Sequence, residues 1–191
     1  MFFSSYPSHQ ARVVEPYLSF YCRVLDFGCG DMALDHLLLS KNPLLPLPGV
    51  DVVPFKQPHM KRLLFRQYAG DRLPFGNQSF DAVFSYHVFH HTKDPFTSLG
   101  ECTRVCRHRI IMVEPVLRYP FEKIGFRCLD FVTNFWKKEH VPIPYHIRTL
   151  LWWKKVFRKL HLDCRELRSV GVLPRFLPIG ETMLFVLEKH V

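Results

Sequence analysis

The chain lacks several features that would narrow its class at once. Its six cysteines, at 22, 29, 102, 106, 128 and 164, form no Cys-x-x-Cys pair, so neither a zinc knuckle nor a dithiol redox motif is suggested. A disulfide scaffold is not expected at this length and composition; buried free thiols acting as small hydrophobes are. Cys102 and Cys106, four apart, read as neighbours on one helix. No apolar run reaches the roughly 18–20 residues of a membrane-spanning helix. The opening MFFSSYPSHQARVV lacks a basic start followed by a long apolar stretch, so a secretory leader is not expected and a cytoplasmic location is. Internal repeats and low-complexity tracts are missing too. What remains is 191 residues, 48% hydrophobic and 23% charged, which suits a single domain over 1–191 with a sizeable core.

Acidic charge is scarce in one stretch only. Residues 1–102 hold 9 Lys/Arg and 9 Asp/Glu, residues 169–191 hold 2 and 2, and residues 103–168 hold 15 and 6. The whole surplus of +9 therefore sits in that middle stretch. It points to an anionic partner nearby: a substrate, a membrane surface or nucleic acid.

Strands and helices alternate along the first two thirds. Val24 to Phe27 reads as a short buried strand, and Ala33 to Leu39 as the following helix with Asp31 near its N-terminus. Prolines between Asn42 and Pro48 end it. A second strand surrounds Asp51, a third covers Phe65 to Ala69, and GDRLPFGNQSFD is loop. A fourth strand runs from Phe80 to Ser85, where Asp81 only starts the strand. Pro95 to Val105 is helical, and Arg109 to Val113 is a fifth strand closed by Glu114-Pro115. Such alternation predicts a parallel sheet covered on both faces. Helices over 120–138 and 147–161 and strands over 162–167 and 181–188 follow, with Pro142-Ile143-Pro144 the expected hinge.

The segment VLDFGCGDMALD carries the chemistry. Gly28-x-Gly30-x-x-Ala33 after a strand fits a dinucleotide fingerprint, and Asp51 lies 21 residues beyond Gly30, near the spacing of a ribose-binding acid. Glycines that merely make a tight turn are the plain alternative. Asp26 weighs against NAD. A diphosphate on that turn would meet a carboxylate, and two like charges about 4 Å apart cost several kcal/mol near a surface. A cofactor with a positive end reverses the sign.

Four ordered blocks then resemble one family: VLDFGCGDMALDHLL, GVDVV, AGDRLPFGNQSFDAVFSYHVFHHTKDP and RIIMVEP. Across roughly residues 22–115 the chain is similar to class I S-adenosylmethionine-dependent methyltransferases, most of all to the small-molecule group related to the ubiquinone/menaquinone enzymes. The resemblance implies a Rossmann-like three-layer α/β sandwich with a mostly parallel seven-stranded sheet and an antiparallel last strand. It implies Asp26, Gly28 and Gly30 beside the methionine end of the cofactor and Asp51 on both ribose hydroxyls. Asp71 would meet the adenine amino group, with Arg72 and Leu73 beside the ring, and Ser85 and Tyr86 would lie near the transferred methyl. His87, His90 and His91 would follow at the substrate pocket. Two departures stand out: Met32 replaces a common third glycine, and the helix before the first strand looks short.

The histidines admit three readings. His87 and His91 are spaced like a helical zinc pair, but no third ligand is evident, so no metal is expected. They can pack at the pocket edge, or His90 or His91 can serve as a general base. Methyl transfer can also proceed by alignment alone, since the sulfonium is already electrophilic.

In the tail, IRTLLWWKKVFRKL places Leu150, Trp153, Val156, Phe157 and Leu160 on one helical face and Lys154, Lys155, Arg158 and Lys159 on the other. Such a helix packs on a sheet with a solvated charged face or lies on an anionic membrane. Residues 116–160 read as a substrate cover suited to an apolar, flat or acidic molecule. Base-amino methylation of nucleic acid is disfavoured, because Ser85-Tyr86-His87-Val88 replaces the Asn/Asp/Ser-Pro-Pro-aromatic tetrad. The sequence therefore leads to S-adenosylmethionine-dependent methyl transfer to an oxygen or carbon of a small molecule. A non-catalytic binding protein of the same fold and an NAD-linked enzyme are the alternatives.

Overall fold

The computed structural model describes residues 6–18, 21, 23–56, 64–134, 146–171 and 179–189. The elements in chain order are α1 (Tyr6–Leu18), β1 (Val24–Phe27), α2 (Ala33–Lys41), β2 (Pro48–Asp51), β3 (Leu64–Gln67) and β4 (Phe80–Tyr86). A short 3-10 turn (Phe89–His91), α3 (Pro95–Val105), β5 (Cys106–Leu117) and α4 (Glu122–Asn134) follow. Then come β6 (Arg148–Thr149), α5 (Leu150–Lys159), β7 (Leu162–Ser169) and β8 (Glu181–Lys189). The sheet order is β3-β2-β1-β4-β5-β8-β7, with the two-residue β6 beside the end of β5. All pairs are parallel except those of β8, which runs antiparallel to β5 and to β7. The mostly parallel α/β sheet with an antiparallel last strand is thus as the sequence predicts.

Each central strand is buried on both faces, and alternation divides its side chains between two helical layers. Val24 of β1, Ala82 and Phe84 of β4 and Ile111 and Val113 of β5 meet α1 and α2, through Val14, Leu34 and Leu38 among others. Leu25, Phe27, Val83, Ile110 and Met112 face α3 and α5 instead. By the same alternation Asp26 falls on the α2 side, with Val24. The chain order reverses between β1 and β4, which places a crevice at their carboxyl ends.

Local chemistry fixes the helix starts. Asp94 accepts from the Phe96 and Thr97 N–H groups at 3.2 and 3.1 Å, with Pro95 in the first turn of α3, an arrangement suited to orphan donors and to a residue without N–H. Thr149 accepts from Trp152 N at 3.3 Å to start α5. That helix turns Trp153, Val156 and Phe157 inward, and Phe157 meets Phe185 of β8 edge-on at 5.4 Å. Its apolar stripe is therefore occupied by the sheet. Leu151 and the cations Lys154, Lys155, Arg158 and Lys159 are what it shows to solvent.

Three expectations change. The helix before β1 is a full thirteen residues, not a stub; its stripe of Ala11, Val14 and Leu18 covers β1 and β4. Strand β5 extends from 106 to 117, so Glu114-Pro115 lies inside it and Cys106 is a strand residue rather than a helical neighbour of Cys102. Its pairing with eight residues of β8 carries it past the proline. Cys29, Cys102 and Cys106 are buried free thiols, whereas Cys128 and Cys164 are exposed. Asp81 caps the entry to β1 by accepting from Arg23 N at 3.0 Å and pairs with Arg107 at 3.3 Å. Cys22 and the Pro142–Pro144 hinge lie outside the described residues.

Candidate functional site

The turn after β1 is drawn tightly against β2, since Gly28 N and Cys29 N both donate to Val50 O at 2.8 and 3.1 Å. Gly28, Gly30 and Met32 all adopt left-handed backbone, with φ of 77°, 54° and 57°. A side chain at Gly28 would run into both methyls of Val88, whereas above Gly30 there is open space. Met32 lacks glycine's freedom, and left-handed backbone costs it about 1–2 kcal/mol. Its side chain is fully buried and tucked toward Gly49 together with Cys29, so it does not reach across the turn. Gly28→Ala adds strain to overlap, and a loss of about 2–4 kcal/mol is expected; a urea midpoint within error of the parent would contradict this packing.

Asp51 closes β2. Its two oxygens accept from Gly30 N and from Val53 N, each at 2.9 Å, which ties the glycine turn to the end of the neighbouring strand. A carboxylate offers about four acceptor positions, so both oxygens keep capacity for further donors. Burial pushes its carboxyl upward, against the pull of those N–H groups.

Asp26 is 3% exposed and Asp35, in the first turn of α2, is fully buried. They face each other beneath the glycine turn. Burial raises both, Asp35 to about 7, and on Asp26 the neighbouring Asp35 and Asp51 carboxyls add to the effect. A hydrogen bond between the two exists only if one keeps a proton. Sequence reasoning passed over Asp35, although Leu38 and Leu39 at its i+3 and i+4 positions mark that face as the buried one.

The loop after β3 places Asp71 and Arg72 at the surface, with Asp71 3.7 Å from Lys93. Leu73 instead is buried, and its N–H donates to Glu101 at 2.8 Å while Arg104 binds its carbonyl at 3.0 Å. At the end of β4, Ser85 is fully buried with no hydrogen-bond partner for its hydroxyl among the described residues. Tyr86 packs toward the α1–α2 layer. His87 is left-handed at φ 58°, its N–H bound to Val113 O at 2.8 Å, and burial pushes its imidazole down to about 3.

His90 is held from β5. Glu114, fully buried, accepts from Val88 N at 2.6 Å and Phe89 N at 2.8 Å through Oε1, and its Oε2 lies 2.8 Å from His90 Nδ1. Burial pushes His90 down to about 3 and Glu114 upward, so the imidazole is neutral near pH 7. With its proton on Nδ1 it donates to Glu114, and Nε2 keeps its lone pair. The ring stands edge-on to Phe126 of α4 at 5.6 Å and 4.0 Å from His91, and His146 N donates to the His90 carbonyl at 3.0 Å. Glu114 is the site residue sequence reasoning missed. The signal was its place on the buried face of β5, two along from Met112 and four from Ile110, towards the carboxyl end of a parallel strand. Among the described residues no group of three or more His, Cys, Asp or Glu is arranged to hold a metal.

Comparison with known proteins agrees with the fold. The model of a family described as "Methyltransferase domain" matches residues 25–113. Nothing among curated proteins matches the chain. In structure it is similar to the complex between the Trm112 methyltransferase activator of Haloferax volcanii and its methyltransferase, with TM-score 0.70 and 19% identity over 95% of this chain and 90% of that one. The YcgJ protein of Bacillus subtilis gives 0.67 and 16% over 96% and 98%. Magnesium protoporphyrin IX methyltransferase of Synechocystis, solved with bound SAH, gives 0.64 and 12% over 96% and 84%. At these identities the structural likeness speaks for the fold alone.

Proposed function

We propose that the chain carries a class I methyltransferase domain that uses S-adenosylmethionine and methylates an oxygen or carbon of a small, lipid-like or acidic molecule. One observation carries the reading: Asp51 stands at the carboxyl end of β2, bound to Gly30 N–H, with open space above Gly30. That arrangement suits a ribose beside a glycine turn. The acids below it, Asp26 and Asp35, would oppose a diphosphate and favour an ammonium.

The cofactor, when bound, supplies a methyl group on a positively charged sulfur. Gly28 and Gly30 offer backbone at its amino-acid end, above Asp26, and Asp51 takes the ribose hydroxyls. Asp71, Arg72 and Leu73 serve the adenine; Ser85 and Tyr86 line the wall near the methyl, and His87 stands at the rim. His90 accepts the proton that an oxygen or carbon acceptor must lose, and Glu114 then faces the resulting imidazolium; His91 is the second candidate base. An acceptor of this kind also suits the cover over 116–160. Tyr119, Phe121 and Ile124 are exposed there beside Arg118, Lys123 and Arg127, a mixture of apolar surface and positive charge. Contact with an anionic membrane through 147–160 would rest on the lysines of α5, because its apolar stripe faces the sheet.

Asp51→Ala removes two hydrogen bonds to a charged acceptor, about 2–3 kcal/mol together, so donor affinity should fall roughly 30- to 150-fold by calorimetry. Parental affinity in this variant would overturn the site. The acceptor class is tested by incubating the protein with methyl-labelled donor and panels of phenols, carboxylic acids, prenylated quinols and amines. Label confined to nitrogen acceptors would refute it.

A further inference from the structure

Beneath the glycine turn lies a buried arrangement that methyl transfer itself does not require. Asp26 projects from β1 onto the face of the sheet covered by α2, and the third residue of that helix is Asp35. Both carboxyls are out of solvent, and neither oxygen of Asp35 has a donor among the described residues when both groups are ionised. An ionised carboxylate with no donor is among the costliest groups to bury. A cation would relieve it, but none faces the pair among the described residues. From β2 comes Asp51; from the turn come Cys29 and Asp31. From β4 that face carries Ala82 and Phe84. On α1, His9 reaches the Val170 carbonyl, Glu15 pairs with Lys41, Tyr17 bonds Glu166, and Arg12 is in solvent. A proton on its neighbour supplies Asp35 with the donor that the described side chains do not.

Resting on the S-adenosylmethionine reading above, we propose that Asp35 keeps Asp26 protonated in the ligand-free protein, so that docking of the donor's ammonium expels that proton and makes Asp35 a determinant of donor affinity. The exchange balances. The Asp26 O–H bond breaks, its proton passes to the buffer, and the carboxylate left behind pairs with the ammonium; Asp35, raised to about 7, lies under the N-terminus of α2 and adds its own charge as pH reaches that value. Two carboxylates then share one organic cation. The directions of both acids agree: the proximity of Asp35 raises Asp26, while the hydrogen bond from Asp26 lowers Asp35 against its burial. The proton therefore resides on Asp26.

The test is calorimetry of S-adenosylmethionine binding in phosphate and in Tris, whose ionisation enthalpies differ, from pH 5.5 to 7, where the ligand's amino group stays cationic. The parent protein should release close to one proton per donor bound near pH 7, and more at the low end of that range, where Asp35 is itself protonated. Its affinity should rise about tenfold per pH unit or more. Asp35→Asn keeps the shape and gives Asp26 a permanent amide donor, so it should release almost no proton, bind at least tenfold more tightly at pH 5.5 and show a flat profile. An infrared band of a protonated buried carboxyl should be present in the ligand-free parent and absent in Asp35→Asn. Binding by the parent without proton release, or an unchanged release in Asp35→Asn, overturns the proposal while leaving the cofactor site standing. No binding of the donor at any pH, with the band present, removes the cofactor reading and the proposal with it.

Discussion

Glu114→Ala should lower stability by about 3–5 kcal/mol, the largest loss expected of any single truncation at the site. Three N–H groups converge on this one carboxylate, from Val88, Phe89 and His90, and the carboxylate itself has no contact with water. Alanine leaves all three donors without an acceptor in a closed environment, at about 1–3 kcal/mol each, less whatever water enters the space. The check is urea unfolding with an unchanged m-value; a shift below about 1 kcal/mol would show that these donors find other partners. Glu114→Gln separates two roles. Its amide oxygen still accepts from Val88 and Phe89, so most of the stability should remain. Its NH2 then faces His90 Nδ1, which must turn from donor to acceptor and send the ring proton to Nε2. Nitrogen NMR of labelled histidine reads that exchange directly. If His90 is the base, methyl transfer should fall far more than stability does.

The second large effect has the opposite sign. Asp35→Asn should stabilise the ligand-free protein by about 2–4 kcal/mol at pH 8, on the order of 5–10 °C in melting temperature. Asp35 is raised from 3.8 to about 7 and Asp26 is raised with it, burial being the first cause in both. The folded state thus holds more protons than the unfolded chain between these values. Its stability from this pair is complete below about pH 4 and is lost as pH rises through about 7. Most paired carboxylates do the reverse. The parent's melting temperature should therefore carry a downward trend over pH 5–8 that the asparagine variant lacks. Parallel pH profiles for the two proteins would exclude the pair as its source.

Much of this arrangement was legible in the chain. Short apolar runs ending in Asp26, Asp51 and Tyr86 announce parallel strands because interior strands are buried on both faces, and glycines two apart announce a turn pressed on its neighbour. What stayed hidden is whatever depends on two distant segments meeting. Glu114 and His90 are 24 residues apart, and nothing local says that an acid before a proline will point inward. An acid such as Asp35 suits any helix start; only packing of α2 on β1 turns it from solvent toward Asp26. Met32 looked like a possible intrusion, and its direction toward Gly49 is set by the left-handed backbone that it adopts. Strand β5 was under-read because Pro115 suggests an end, while the antiparallel partner that extends it lies more than sixty residues later.

That late partner bears on how the molecule is made. Strand β5 rests between β4, which precedes it, and β8, which a ribosome delivers only after residues 106–180 have been built. Until then its inner edge, carrying Ile110, Met112 and Glu114, has unpaired backbone, a template for mispairing. Arg109 and Glu188, 79 residues apart in sequence, form the ion pair that marks the proper register at one end. Such long-range closure makes for slow folding, so a nascent chain halted before residue 181 should be a substrate for chaperones rather than a partial enzyme.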